Sequence, residues 1–170
     1  MKAWIGLGGN RDDSGKLLVA ALTRLAATPE VEVLRRSRIY RSAPWGVSEQ
    51  PEFVNAVAEL ETGLPPLALL RLLLAIESQL GRERSDARWG PRCIDLDLLT
   101  YEEVRLQSTE LVLPHPQMHL RAFVLVPLLE LEPCFVIPGK GRAAECLEMI
   151  DPSETGAVVP LPSKFKEYRP

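Results

Sequence analysis

The stretch from Phe53 to Gly81, FVNAVAELETGLPPLALLRLLLAIESQLG, holds a strand and a helix back to back. Phe53 to Glu61 alternates in the manner of a half-buried strand. Pro65-Pro66 then opens a helix running to Leu80, and Gly81 lies just past its end, which is where proline and glycine favour a helix start and a helix stop. Upstream, residues 2 to 8 read as a short buried strand ending in Gly8-Gly9. Gly15 to Ala27 reads as a helix whose apolar face is Leu18, Ala21, Leu22 and Leu25. Val31 to Tyr40 has the mixed pattern of a half-exposed strand. Downstream, Cys93 to Tyr101 is a further strand.

Those six elements run β-α-β-β-α-β, the ferredoxin-like order: an α+β fold with an antiparallel sheet and both helices on one face. Val104 to Leu113 is expected to add a hairpin strand. Pro116 to Leu131 reads as a third helix, bent or divided by Pro127, that could cover the other face and make three α-β-α layers. Residues 1–160 are expected to form a single domain, with 161–170 as a C-terminal tail. Two long polar loops, Ser42 to Glu52 and Arg82 to Arg92, exceed the ~2–5 residues usual between strands and mark themselves as functional.

The chain has 170 residues, 46% of them apolar, enough for one globular core. With 20 cations against 23 anions the formal charge is −3, which argues against a general nucleic-acid or acidic-membrane binder. Fifteen of the cations are Arg, the residue of forked contacts to phosphate. No apolar run approaches the ~18 residues of a spanning helix, and the N-terminus has no signal-peptide pattern. Cys93, Cys134 and Cys146 have no paired spacing and read as free thiols in a reducing cytoplasm.

The chemistry concentrates in Arg88-Trp89-Gly90-Pro91-Arg92-Cys93-Ile94-Asp95-Leu96-Asp97. On a strand Asp95 and Asp97 share one face, about 6.6 Å apart, while Ile94, Leu96 and Leu98 face the core. Such a pair suits two hard cations ~3.5–4 Å from one another. Arg82, Arg84, Arg88 and Arg92 crowd the loop just before it. Carboxylates for Mg²⁺ behind an arginine-rich loop are what a triphosphate calls for. The glycines at Gly6, Gly8 and Gly9 make no dinucleotide fingerprint, and there is no P-loop. His115 and His119 are four apart but lack a third zinc ligand at suitable spacing. His115 reads as a hydrogen-bonding group at a helix start, His119 as a surface residue. Phe53 and Asn55, on one strand face, offer a ring and an amide to a flat heterocycle.

Taken together, these motifs resemble the 6-hydroxymethyl-7,8-dihydropterin pyrophosphokinase family. The resemblance is carried by Arg88 through Asp97, Gly6-Leu7-Gly8-Gly9-Asn10, Tyr40-Arg41-Ser42 through Pro44, and Gln50-Pro51-Glu52-Phe53-Val54-Asn55. Glu77 with Gly81-Arg82 and Arg84, and Pro114-His115-Pro116 with Arg121-Ala122-Phe123, extend it over residues 3 to 130. It implies transfer of the terminal pyrophosphoryl group of ATP to the pterin hydroxymethyl oxygen, releasing AMP, in folate biosynthesis. It also implies two Mg²⁺ on Asp95 and Asp97, with Arg82 and Arg92 closing over the phosphates. Arg84, Trp89, His115 and Arg121 would contact ATP, with Glu77 and Leu98 near the nucleotide. Phe53 and Phe123 would sandwich the pterin, Asn55 would bond its edge, and Ser42, Pro44 and Trp45 would complete the pocket. Ser42 stands where Thr is frequent and Gly9 where Ser is common. A cytoplasmic enzyme with small-molecule substrates is expected, without nucleic acid, membrane or obligate protein partner, and with no heptads or apolar stripe in the sequence a monomer is the expectation. The rival readings are a ferredoxin-like ligand- or RNA-binding module, and a two-metal phosphodiesterase built on the same aspartates.

Overall fold

The computed structural model describes residues 1–43, 51–82 and 93–162. In chain order the elements are β1 (Lys2–Gly9), α1 (Ser14–Ala26), β2 (Val31–Arg36), β3 (Tyr40–Ser42), β4 (Phe53–Thr62), α2 (Pro66–Gln79) and β5 (Asp95–Tyr101). There follow β6 (Leu106–Gln107), β7 (Val112–Leu113), a 3-10 turn (Met118–Leu120), α3 (Ala122–Leu131), β8 (Val136–Ile137), β9 (Gly141–Arg142), α4 (Ala143–Glu148), α5 (Pro152–Gly156) and β10 (Val159–Pro160).

The main sheet is antiparallel throughout, in the order β10-β3-β4-β1-β5, with β2 also on β4. This is the ferredoxin-like arrangement, with the strand expected over 31–40 divided in two. Its first part pairs Val31 with Thr62, its second Tyr40 with Asn55. At the break between them the Ser37 amide donates to the Val57 carbonyl at 2.8 Å, and the Ser37 hydroxyl accepts the Val57 amide at 3.0 Å. One serine thus satisfies both backbone groups of Val57 where the strand kinks.

Strand alternation separates two cores. Ala3, Ile5 and Leu7 of β1 and Ala56, Ala58 and Leu60 of β4 meet Leu18, Ala21, Leu22 and Leu25 of α1 and Leu69, Leu73 and Ile76 of α2. The four α1 residues are those its spacing predicted. Trp4, Val57 and Leu99 point the other way and meet Val124, Leu125 and Leu128 of α3, with Met118, Ile137 and Ala143. Helices therefore cover both faces, giving the three layers expected. An RNA reader of this fold would need an open sheet face with exposed aromatics, so that rival is not favoured.

Three expectations are corrected. The third helix begins at Ala122, not Pro116, because Arg121 is extended (φ −120°, ψ 106°) and Met118–Leu120 form a separate 3-10 turn. Pro127 does not divide α3, although it removes the amide that the Phe123 carbonyl would accept four residues on. Residues 104–113 form two short strands that pair with each other. Beyond Pro133 the β8–β9 hairpin and α4 close the second core, and β10 adds to β3 at the sheet edge.

Candidate active site

The end of α2 places the first site residue. Gly81 lies at φ +87°, its amide donates to the Ser78 carbonyl at 3.1 Å, and the Arg82 amide donates to the Glu77 carbonyl at 3.0 Å. This is a Schellman cap, and glycine accepts the left-handed conformation without a Cβ penalty. The cap brings the Arg82 side chain onto the Glu77 carboxylate and, at 2.6 Å, onto Asp95 Oδ1. The Glu77 carboxylate is buried at 3% exposure and also accepts the Leu96 amide at 2.6 Å. Burial foremost, with Asp95 adding to it against the Leu96 and Arg82 contacts, pushes Glu77 up to about 7. Arg82 is raised: its neighbouring carboxylates Asp95 and Glu77 outweigh the cost of burial.

Asp95 and Asp97 lie half-exposed on the α3 face of β5, with Leu96 and Leu98 buried behind them. Opposite them on β1 stand Gly8 (with Asp95) and Gly6 (with Asp97), and opposite Gly8 on β4 stands Asn55. A row Asp95–Gly8–Asn55 therefore crosses three strands, spanning two strand spacings, about 10 Å. Glycine in its centre leaves a floor between carboxylate and amide. A Cβ on Gly8 would stand 3.2 Å from Asn55 Oδ1. Asn55 is buried, and its Nδ2 donates to the Ser42 hydroxyl at 2.8 Å. Phe53 is half-buried on the same face of β4, two residues before Asn55.

The wall over this floor comes from the chain leading into α3. A register shift where Ile5 pairs Leu98 and Trp4 pairs Thr100 leaves Leu99 without a partner on β1. Its carbonyl instead accepts the His115 amide at 2.7 Å. His115 Nδ1 accepts the Gln117 amide at 3.2 Å, which places the neutral ring's proton on Nε2 by this assignment of the hydrogen bonds. Burial, then Arg121, against the pull of Asp95, lowers His115 to about 4, so at neutral pH it is a donor without charge. Arg121, the extended residue before α3, bonds Gln117, lies 4.0 Å from Asp97 Oδ2 and stacks 5.6 Å from the Phe123 ring centroid. Phe123 is half-buried in the first turn of α3.

The fold thus assembles Glu77, Arg82, Asp95, Asp97, His115 and Arg121 at one side of the glycine floor and Ser42, Phe53 and Asn55 at the other. Leu98 is separated from them: its side chain is 3% exposed in the α1–α2 core, so only its main chain is available to a ligand. Pro44, Trp45, Arg84, Trp89 and Arg92 lie outside the described residues. His119 is half-buried rather than on the surface, lowered by burial and by Lys140. What spacing alone did not reveal is the glycine floor and the sharing of Arg82 between Glu77 and Asp95. The period-two phase of Gly6 and Gly8 was visible, but which residues they face depends on register.

The donor set fits magnesium better than zinc. Among the described residues no group of three His, Cys, Asp or Glu side chains is placed to hold one metal ion. Two carboxylates with the rest of the shell left to water and phosphate is the habit of Mg²⁺. Arg82 already stands at Asp95 Oδ1, so that oxygen is disposed to accept a cation.

A carboxylate pair facing an amide across a bare floor, on a ferredoxin-like scaffold, defines a site for joining an anionic substrate to a flat one. The family model for 7,8-dihydro-6-hydroxymethylpterin-pyrophosphokinase (HPPK) matches residues 4–133. Over 152 residues, 89% of this chain and 95% of the relative, it is 47% identical to the 2-amino-4-hydroxy-6-hydroxymethyldihydropteridine pyrophosphokinase of Methylorubrum extorquens. The enzyme of the same name from Pseudomonas aeruginosa is 42% identical over 146 residues, covering 86% of this chain and 90% of its own. Among solved structures, Plasmodium falciparum HPPK-DHPS with pteroate superposes with a TM-score of 0.68 at 12% identity, over 86% of this chain and 44% of that one. This likeness supports the fold, and the present chain spans less than half of that longer polypeptide. The chain belongs to the HPPK family, and it is a pyrophosphokinase.

Proposed function

We propose that this protein transfers the pyrophosphoryl group of ATP to the hydroxymethyl oxygen of 6-hydroxymethyl-7,8-dihydropterin, in folate biosynthesis. In that reaction the pterin oxygen bonds to Pβ, the bond from Pβ to the oxygen it shares with Pα breaks, and AMP leaves with that oxygen. The observation that carries the reading is the row Asp95–Gly8–Asn55: a metal-competent carboxylate and a buried amide on strands about 10 Å apart, with glycine on the strand between them. Phosphates belong at the aspartate end and the pterin at the Asn55 end.

Asn55, aimed by Ser42, would hold the pterin edge, while Phe53 and Phe123 would face its rings. Arg121 and neutral His115 would bond phosphate or nucleotide oxygens, His115 by donation from Nε2. Asp95 and Asp97 would hold two Mg²⁺, which when bound neutralise phosphate oxygens and orient attacking and leaving groups. Glu77 and Leu98 would lie at the nucleotide's margin, with Arg82 and Arg92 clamping the charge that shifts during transfer. Arg84 and Trp89 would contact ATP, and Pro44 and Trp45 would border the pterin. The sequence reveals no dedicated base for the hydroxyl proton; Asp97 would serve as acceptor, with metal coordination lowering its basicity. Among the described residues no helix is long and apolar enough to cross a membrane. A cytoplasmic single-domain enzyme of residues 1–160, acting without an obligate protein partner, accords with this reading.

Incubation with ATP, Mg²⁺ and the hydroxymethyl pterin is expected to release AMP, and to release none without the pterin. ADP as product would overturn the assignment.

A further inference from the structure

Glu77 lies three residues before the α2 C-cap, beside Ile76, which is buried in the core. Its carboxylate faces inward at 3% exposure. One oxygen, Oε1, takes both the Leu96 amide, at 2.6 Å, and the Arg82 guanidinium. Leu96 is the residue between Asp95 and Asp97, and β5 lies at the edge of the main sheet. Its amide on that edge meets a carboxylate in place of a neighbouring strand's carbonyl, and a charged acceptor makes the stronger bond. Arg82 in turn reaches Asp95 Oδ1 at 2.6 Å. The peptide that aims both aspartates and the cation beside one of them therefore converge on a single buried oxygen.

We propose that Glu77 is a positioning residue: it sets the aim of Asp95 and Asp97 through the Leu96 amide and holds Arg82 at Asp95, without touching ATP or pterin. The inference rests on the role given above to the two aspartates. Family resemblance places Glu77 near the nucleotide; its inward carboxylate gives it a task one layer further back.

Full-length Glu77→Gln and Glu77→Ala are to be compared with the parent by amide hydrogen exchange at Leu96, thermal unfolding, and steady-state AMP formation at varied ATP. Glutamine keeps an acceptor oxygen and loses the charge; alanine loses both. Exchange at Leu96 should rise in the order parent, Gln, Ala. The kcat should fall in the same order, by about tenfold and about 10²-fold, while KM for ATP moves by less than about threefold. A raised KM for ATP with kcat unchanged would make Glu77 a nucleotide contact and overturn the proposal. Parental protection of Leu96 in a folded Ala variant would overturn it too. If the Ala variant does not fold, the Gln variant decides by the same two readouts. If the parent forms no AMP, the proposed reaction fails, while the order of Leu96 exchange still tests the hold of Glu77 on the strand.

Discussion

Glu59 and Glu77 are both glutamates at 3% exposure in one small fold, and folding shifts them in opposite directions. Glu59, on the α3 face of β4 away from the site, meets Lys2 at 3.1 Å and Arg35 at 2.5 Å. Arg35 is itself fixed by the Leu131 carbonyl at 2.6 Å and by stacking on Trp4. Burial tends to raise Glu59, but the hydrogen bonds from Arg35 and Lys2 prevail and hold it below the usual carboxylate range. Glu77 shares Arg82 with Asp95, and burial pushes it up to about 7. One carboxylate is over-supplied with cations and ties β1, β2 and α3 together. The other is buried deeply enough that desolvation outweighs the cation it shares. A carboxyl pushed up by burial beside other ionisable groups is more often met at a functional site than at a structural one.

The contrast breaks most visibly at Asp95. Asp95→Asn keeps the shape and removes a charge from the site end. AMP formation should fall on the order of 10²–10³-fold or more, with the thermal midpoint nearly unchanged. Unchanged turnover would remove Asp95 from the chemistry. At the other end Glu59→Ala should cost about 1–3 kcal/mol in urea unfolding and leave kcat within about twofold, since both stranded cations still reach water. A large loss of kcat with stability intact would erase the distinction between the two ends.

Gly81→Ala probes the link between fold and site. Alanine in the left-handed conformation costs roughly 1–2 kcal/mol of stability, and displacing the cap should move Arg82 and lower kcat as well. Equal activity in a destabilised variant would show that the Schellman cap serves the helix alone.

The subtlest comparison is with pH, in the protein free of nucleotide and metal. Glu59, lowered when folded, contributes stability that is present above its ordinary value of 4.5 and lost as pH falls through the folded value. Glu77, raised when folded, does the opposite: the folded state holds the proton more tightly, so stability declines as pH rises from 4.5 to about 7. Each slope is at most about 1.4 kcal/mol per pH unit for one proton. Urea midpoints across pH 3 to 8 should show Glu59→Gln flattening the acid limb and Glu77→Gln flattening the decline toward neutrality. The same change from both variants would refute the contrast.

Part of this was legible in the chain itself. The α1 face at Leu18, Ala21, Leu22 and Leu25, the boundaries at Pro65-Pro66 and Gly81, and the shared faces of Phe53 with Asn55 and Asp95 with Asp97 follow from periods of 3.6 and 2 and from backbone preferences. Such features depend on residues within a few positions of one another. The start of α3 was not legible, because the extended Arg121 interrupts a run whose composition is helical on both sides. Nor were β8 and β9, two-residue strands with too few positions to show a period and defined by their partners alone.

The sequence by itself determined the element order, the faces of the long elements and the residues able to bind cations and a flat ring. Tertiary structure decided which of two similar glutamates is held below the usual carboxylate range and which is pushed above it. It also decided that Gly8 lies between Asp95 and Asn55. Register and burial join residues tens of positions apart, and the free energy of a buried charge depends on the neighbours that folding brings, whatever their distance along the chain.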